Sequence, residues 1–553
     1  MDAMASVSDL LTARLVTATG VDPELRPATK PQFGHFQSNV ALRLAKQQGR
    51  KPREVAAQIV DELDVADLCE PVEIAGPGFL NFRLRTDVLA SAVNAQLADE
   101  HLGVAQVDEP VRVVIDYSSP NVAKQMHVGH LRTTIIGDCF TRVLRAVGDE
   151  VVPQNHIGDW GRQFGMLIEQ IQDESLDLDT LDLAGAEELY LRANAHFESD
   201  ADFAERARLR VVALQGGDET TRAIWRRLIA ISTAGFNRTY ARLGVLLTDA
   251  DIAGESSYND MLDGICDDLQ HRGIAVMDDG ALIARVDGFD APAILRNSAG
   301  GYGYDVTDLA ALRHRVDDLG AGRLIYVTDA RQANHFALLF AVSRKAGYLP
   351  SSVIAEHIGY GMVLGTDGHP FKTREGTAAH LDDLLDAAEQ TASPEVALAA
   401  IKYADLSNQL QKDYVFDPVR MTATTGDTGP YLQYAHARVS QILRRALAEQ
   451  GQDEDATGDW QVSVLAELAE QDLALSLTRF GEAVGEVAAN LTPHKLCMYL
   501  YELAGKLSVF YEQCPVLKAD GDVRASRLAL CQATKDVLGR GLTLLGIPAP
   551  ERM

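Results

Sequence analysis

The stretch VRVVIDYSSPNVAKQMHVGHLRTTIIGDCFTRVLRAVG, residues 111–148, decides the fold. It opens with VRVVID, a short β-branched run of the kind found in a strand buried on both faces of a parallel sheet. SSPN then supplies a turn. After it, Leu131, Ile135, Phe140, Leu144 and Val147 recur at helical spacing. The stretch therefore reads as strand, turn, helix. His127 and His130 fall where the strand has ended and the helix begins, which in an open α/β sheet is the edge that binds ligands.

That placement gives the tetrapeptide HVGH its meaning. Alone it is a weak signal, and a glycine turn whose histidines satisfy nearby backbone groups is the plainer alternative. At a helix start, however, free N–H groups and the positive end of the helix dipole favour an anion. His127 and His130 can donate to phosphate or ribose oxygens without a permanent charge, and Gly129 lets the backbone approach a flat ring. These features suit a triphosphate attacked at its α-phosphorus, where charge builds on the transferring group.

Outward from this stretch the alternation continues. VVPQNHIGDWG reads as a second strand and loop, and residues 165 to about 250 as a charged helical insertion. GIAVMDDGALIARV, RLIYVTD and SSVIAEHIGYGMVL restore the β pattern from about 270, with helical DLAALRHRV and ANHFALLFAVSRKAG between them, as in a continuing α/β sheet. From about 395 the pattern is helical, as in a bundle. Residues 1–105 mix both periods, with VEIAGPGFLNFRL reading as strand, Gly-Pro-Gly turn, strand.

Composition narrows the class. Of 553 residues, 46% are hydrophobic and 24% charged, ordinary for a globular chain of three or four domains. No apolar run reaches membrane-spanning length, and no secretion signal is expected at MDAMASVSDLLTARL. The six cysteines have no CxxC or zinc spacing, so neither disulfides nor a structural metal is expected, and a reducing cytoplasm fits. A net charge of −28 argues against non-specific nucleic-acid binding but leaves room for local basic patches.

Further polar residues gather at the ends of the strands. Asp116 ends the first strand and Asn121 lies in its turn; Tyr304 and Asp308 come from YDVTD, and Gln332 from DARQANHF. Each could be a local cap. Together they would form an acidic pocket for a cationic side chain, and a planar carboxylate matches guanidinium best. GTDGHPFKTREG, with Lys372 and Arg374, reads either as a solvated loop or as a cationic clamp on pyrophosphate, and Lys124 lies upstream of the histidines. In GPYLQYAHARVSQILRRA, Tyr431, Tyr434, Ala435, Val439, Ile442 and Leu443 share roughly one face, and Arg438, Arg444 and Arg445 another. A core helix with solvated arginines and an RNA-stacking helix both fit.

SPNVAKQMHVGHLR resembles the signature of the class I arginyl-tRNA synthetases. NHIGDWGRQFGMLI, YDVTDLAAL, EHIGYGMVLG with PFKTREG, KYADLS, TGPYLQYAHARV, YLYELAGKLSVFYEQCPVL and GIPAPERM are similar to the family's later segments, in its order. The resemblance implies a Rossmann-type α/β catalytic core over 106–390, with a helical insertion at about 165–250. It also implies an α+β N-terminal domain over 1–105 that contacts tRNA, and an all-α anticodon-binding domain over 391–553. It implies ATP-dependent, Mg²⁺-assisted activation of L-arginine, dependent on bound tRNA, and transfer to tRNA(Arg) by a cytoplasmic monomer with no membrane or resident metal. His127, Gly129, His130 and Lys372 would bind ATP, with Gly129 under the adenine. Asp116, Asn121, Tyr304, Asp308 and Gln332 would bind arginine. PFKTR replaces the usual Lys-Met-Ser-Lys-Ser loop, so Lys124 would help neutralise the phosphates. One departure is His35, which stands where the family's acidic residue is expected. Another HxGH synthetase, a small-molecule ATP-dependent ligase and a non-catalytic RNA-binding paralogue are the competing readings.

Overall fold

Strand β1 (Arg112–Asp116) runs through the interior of a four-stranded parallel sheet, where its β-branched residues are buried on both faces. The computed structural model describes residues 6–28, 30–298, 300–371, 379–453 and 458–553. The other strands of this sheet are β2 (Glu150–Gln154), β3 (Arg323–Asp329) and β4 (Ile354–Tyr360), in the order β4-β3-β1-β2. Helix α1 (Val128–Ala146) connects β1 to β2 on one side, and the chain then returns to the other side of β1. The strand order therefore reverses between β1 and β3, the place where open α/β sheets bind ligands. In register, Asp116 pairs with both Tyr326 and Gln154, which brings the strand ends to one edge.

Close packing holds α1 against this edge. A Cβ on Gly137 would lie 2.2 Å from the Tyr117 ring, so only glycine allows the helix so near. Helices α3 (Tyr304–Asp317) and α4 (Ala333–Ala346) cover the sheet with Leu309, Leu312, Phe336, Leu339 and Val342, packed with Val114 and Leu324.

The helical insertion consists of Arg162–Glu174, Leu183–Ser199, Ala201–Gln215 and α2 (Glu219–Leu243). After it the expectation of a continuing α/β sheet fails in one segment. GIAVMDDGALIARV does not join the parallel sheet. It forms Ala275–Asp278 and Ala281–Ala284 of a separate three-stranded antiparallel sheet. Asp279 and Gly280 both have positive φ, the Asp-Gly hairpin turn that the sequence carries openly.

The chain divides into two compact units, one of Val107–Ala423 with Leu545–Ile547, the other of Met1–Gln106, Thr424–Leu544 and Pro548–Met553. The helix Pro394–Leu406, placed by sequence with the C-terminal helices, belongs to the first unit. Its buried Asp405 pairs at 3.1 Å with Arg132 of α1, which is 1% exposed. A buried charge pair of this kind cannot be separated cheaply.

In the second unit, Arg26–Pro27, Phe36–Ser38, Phe79–Phe82 and Glu73–Ala75 form an antiparallel sheet, with the Gly-Pro-Gly turn between the last two in chain order. His35 is a core residue of this sheet, not a surface one. Its Nδ1 accepts the Leu84 N–H at 3.0 Å, and burial lowers its pKa to about 4. Helix α5 (Gly429–Glu449) packs with Pro493–Gln513 and Gly521–Leu544 in the same unit.

Candidate active site

The loop between β1 and α1 is strained. Ser118, Ser119 and Ala123 have φ of 72°, 49° and 61°, left-handed values that cost non-glycine residues on the order of 1–3 kcal/mol each. Hydrogen bonds from other elements hold it. Ser118 N donates to Thr133 Oγ1 at 3.0 Å, and Ser119 N to Asn155 Oδ1 at 3.1 Å. Such strain persists only where its surroundings over-determine it, and it clusters at functional sites.

The loop delivers the chain to His127, the N-cap of α1. His127 Nδ1 accepts the Gly129 N–H at 2.9 Å, and His130 Nδ1 accepts the His127 N–H at 3.1 Å. A ring nitrogen that accepts an N–H carries no proton, so both neutral rings bear theirs on Nε2. The rings lie 3.9 Å apart. Desolvation, followed by the neighbouring His380, lowers the His127 pKa; desolvation and then His127 take His130 down to about 3. The pair is neutral at physiological pH. It presents two fixed donors at a helix start, where the dipole also favours an anion.

Gly129 is also required by its neighbour in the chain. A Cβ at this position would meet His127 Cε1 at 2.6 Å, so the ring that needs the space is His127's own. The Tyr360 hydroxyl, at the end of β4, donates to the Gly129 carbonyl at 3.2 Å.

These histidines face a cavity of about 610 Å³, within the usual range for small-molecule sites. It is lined by His127, Gly129, His130, Asn121, Asp116, Tyr304, Asp308 and Gln332, eight of the ten residues singled out by sequence. Of the other two, Lys124 turns towards the insertion, with Nζ 4.1 Å from the centre of the Tyr190 ring. Lys372 lies outside the described residues, as does Arg374.

The acids of the cavity fall into two groups. Asp116 is already taken: Arg315 Nη2 donates to it at 2.7 Å and Ser119 Oγ at 2.9 Å. It anchors the strained loop through Ser119 while still lining the cavity. Asp308 is 2.7 Å from His335 Nε2, while His335 Nδ1 is 3.4 Å from Asp305. Hydrogen bonds to Asp305 and Asp308 raise the His335 pKa to about 10, so it is a cation. Glu255 also lines the cavity. Burial, then the nearby Asp159 and Asp308, raise its pKa to about 7. An acid pushed up by neighbouring negative charge is stabilised by an incoming cation. Tyr304, at the start of α3, is 79% exposed, and Gln332 caps α4.

Sequence reasoning missed Glu255 and His335. Glu255 lies in a short 3₁₀ turn, Glu255–Tyr258, with no periodic signal. His335 is visible in DARQANHF, but its pairing with acids 27 and 30 residues upstream is not a local pattern.

The second unit contains a different cavity, of about 490 Å³. Tyr434, Arg438, Arg444, Arg445, Arg552 and Met553 line it, with Glu551. Tyr434 is 47% exposed, whereas Ala435, Val439, Ile442 and Leu443 are buried, so Tyr434 groups with the arginines and not with the core face. Arg438 sits 3.7 Å from the centre of the Tyr511 ring.

Residues 92–396 match the family model described as tRNA synthetases class I (R), catalytic domain. Residues 4–84 match the arginyl tRNA synthetase N terminal domain, and 432–553 the DALR anticodon binding domain. The chain is 65% identical to an arginine–tRNA ligase of Cutibacterium acnes, over 100% of both chains. It is 48% identical to one of Frankia casuarinae, over 99% and 97%. Its structure is similar to the arginyl-tRNA synthetases of Plasmodium falciparum (TM-score 0.83, 26% identity, 100% of both chains) and Thermus thermophilus (0.79, 27%, 98% and 99%).

Proposed function

The chain belongs to the class I arginyl-tRNA synthetases, and we infer from this premise how its cavity carries out arginine–tRNA ligation. The observation that carries the reading is the pair of neutral Nε2–H donors at the start of α1, in one cavity with Glu255, an acid that burial and neighbouring carboxylates leave short of a cation.

Arginine enters with its guanidinium towards Asp308 and Glu255, and Glu255 ionises as the positive charge arrives. Tyr304 and Gln332 border this end, and Asn121 meets the amino-acid backbone. ATP lies against α1. The arginine carboxylate attacks the α-phosphorus, a bond forms from its oxygen, and pyrophosphate leaves. His127 and His130 donate to phosphate oxygens as charge builds on them, without needing to gain or lose a proton. The terminal 2′-hydroxyl of tRNA(Arg) then attacks the adenylate carbonyl and releases AMP. Lys124 and Lys372 add positive charge to the phosphates, Lys124 by leaving the Tyr190 ring.

Mg²⁺ accompanies the triphosphate. It would supply positive charge to the phosphate oxygens; among the described residues no group of three or more His, Cys, Asp or Glu could hold a metal ion by itself. The arginine-lined cavity of the second unit suits anticodon bases, with Tyr434 for stacking and cations for phosphates. It reconciles tRNA binding with the net charge of −28. The exposed N-terminal sheet edge would meet tRNA through residues other than the buried His35. Among the described residues no helix is long and apolar enough to cross a membrane. The reading is of a cytoplasmic monomer.

Arginine-dependent pyrophosphate–ATP exchange, run with and without tRNA(Arg), tests this. Exchange that depends on tRNA is expected. No exchange under either condition would refute it.

A further inference from the structure

The anchors of the strained loop Ser118–Ala123 do not come from the parallel sheet and α1 alone. Two come from α2, the last helix of the insertion. The Tyr240 hydroxyl is 2.7 Å from Ser118 Oγ, and Ser232 Oγ accepts the Ala123 N–H at 2.9 Å. Tyr240 is the centre of a longer chain. The Thr134 hydroxyl is 2.6 Å from the His130 carbonyl and 3.0 Å from Ser118 Oγ; Asn155 Nδ2 donates to Tyr240 at 3.0 Å, and Asn155 Oδ1 accepts from Ser119 N. Ser118, Thr134, Asn155 and Tyr240 are all buried, so water cannot replace these bonds. Burial raises the Tyr240 pKa to about 12, and the phenol keeps its proton.

Ser232 is also buried, and its own hydroxyl donates to the Leu228 carbonyl at 2.8 Å. This leaves its oxygen lone pairs to receive Ala123 N–H. Between these two anchors lies Asn121. Its carboxamide rests on bare Gly158, where a Cβ would come within 2.3 Å of Oδ1.

We propose that α2 is the template of the catalytic loop, with Tyr240 and Ser232 as positioning residues that hold Ser118–Ala123, and therefore Asn121, in the reacting conformation. This gives the insertion a part in catalysis without any contact with substrate. The proposal rests on the reading of Asn121 as an arginine contact. A misplacement of about 1 Å is enough to cost on the order of a hundredfold in rate, and one hydroxyl can decide such a displacement here.

The test is steady-state aminoacylation by the full-length enzyme, with unfolding midpoints, for wild type, Asn121→Ala, Tyr240→Phe, Ser232→Ala and Ser232→Ala with Ala123→Gly. Tyr240→Phe and Ser232→Ala should each lower kcat/KM for arginine about tenfold or more, with KM for tRNA within about twofold of wild type. Ala123→Gly should restore most of the rate lost in Ser232→Ala, because glycine adopts positive φ without the anchor. A purely structural role would not be relieved this way. Wild-type kinetics in Tyr240→Phe and Ser232→Ala, beside an impaired Asn121→Ala, would overturn the template. So would losses that follow the unfolding midpoint and persist with Ala123→Gly. Wild-type charging by Asn121→Ala would instead remove the underlying site reading, and the proposal with it.

Discussion

The cavity beside α1 and the arginine-lined cavity beside α5, on the function proposed above, would meet the same polyanionic chemistry in opposite ways. The one beside α1 presents imidazoles that burial and neighbouring histidines keep neutral, with backbone N–H groups on Nδ1 leaving the proton on Nε2. The one lined by α5 presents Arg438, Arg444, Arg445 and Arg552, which are always charged. The difference follows from the task. A reacting phosphate needs donors aimed where charge develops and a site that does not bind the ground state too strongly. An RNA segment that is only held gains from permanent charge, which also steers its approach.

The largest effect is expected at the histidines, which no ordinary side chain should replace. His130→Ala should lower the rate of adenylate formation by about 10²–10³-fold, the usual cost of one lost transition-state donor, with little change in KM for tRNA. Pre-steady-state formation of arginyl-adenylate checks this. Asp308→Ala should come next: KM for arginine rises about 30-fold or more, while KM for ATP stays within a few-fold. Equal effects on both would remove Asp308 from the guanidinium site.

A smaller effect sharpens the contrast from the other cavity. Arg445→Ala should weaken tRNA binding several-fold and reduce the salt slope of log Kd by about one, as for the loss of one phosphate contact. Adenylate formation at saturating tRNA should not change. The smallest is a pH effect. Glu255 has its pKa raised to about 7 in the free enzyme, so arginine binding should tighten as pH rises through 7, when the carboxylate ionises without ligand help. Glu255→Gln should flatten that dependence in a titration by calorimetry. The stability effect has the opposite sign: an acid with a raised pKa loses its stabilising contribution as pH rises from the unfolded value through about 7.

Local patterns made the catalytic edge legible. VRVVID, the SSPN turn and the 3.6-residue spacing after His127 together specify β1, the loop and α1, and they place the histidines on the edge that the cavity opens along. Asn121, Asp308, Tyr304 and Gln332 were readable because residues at strand ends and helix starts share that edge. Pairings across long stretches of chain were not readable. The pairing of Asp116 with Arg315 joins residues 199 positions apart, which no local pattern signals. Nothing in the sequence says that the His127 ring folds back against Gly129. The antiparallel hairpin at Asp279–Gly280 was a different kind of miss, a turn signal outweighed by the expected alternation.

The chemistry of the site turns on His127 and His130 being neutral at physiological pH with the proton on Nε2. Nitrogen-15 NMR of the enzyme labelled at histidine, titrated from pH 8 to 5, measures this directly. Nδ1 signals of the unprotonated type and Nε2 signals of the protonated type are expected for His130 across the whole range, with a His127 midpoint below the ordinary 6.5. Imidazolium signals appearing at both residues with midpoints at or above 6.5 would contradict that neutrality.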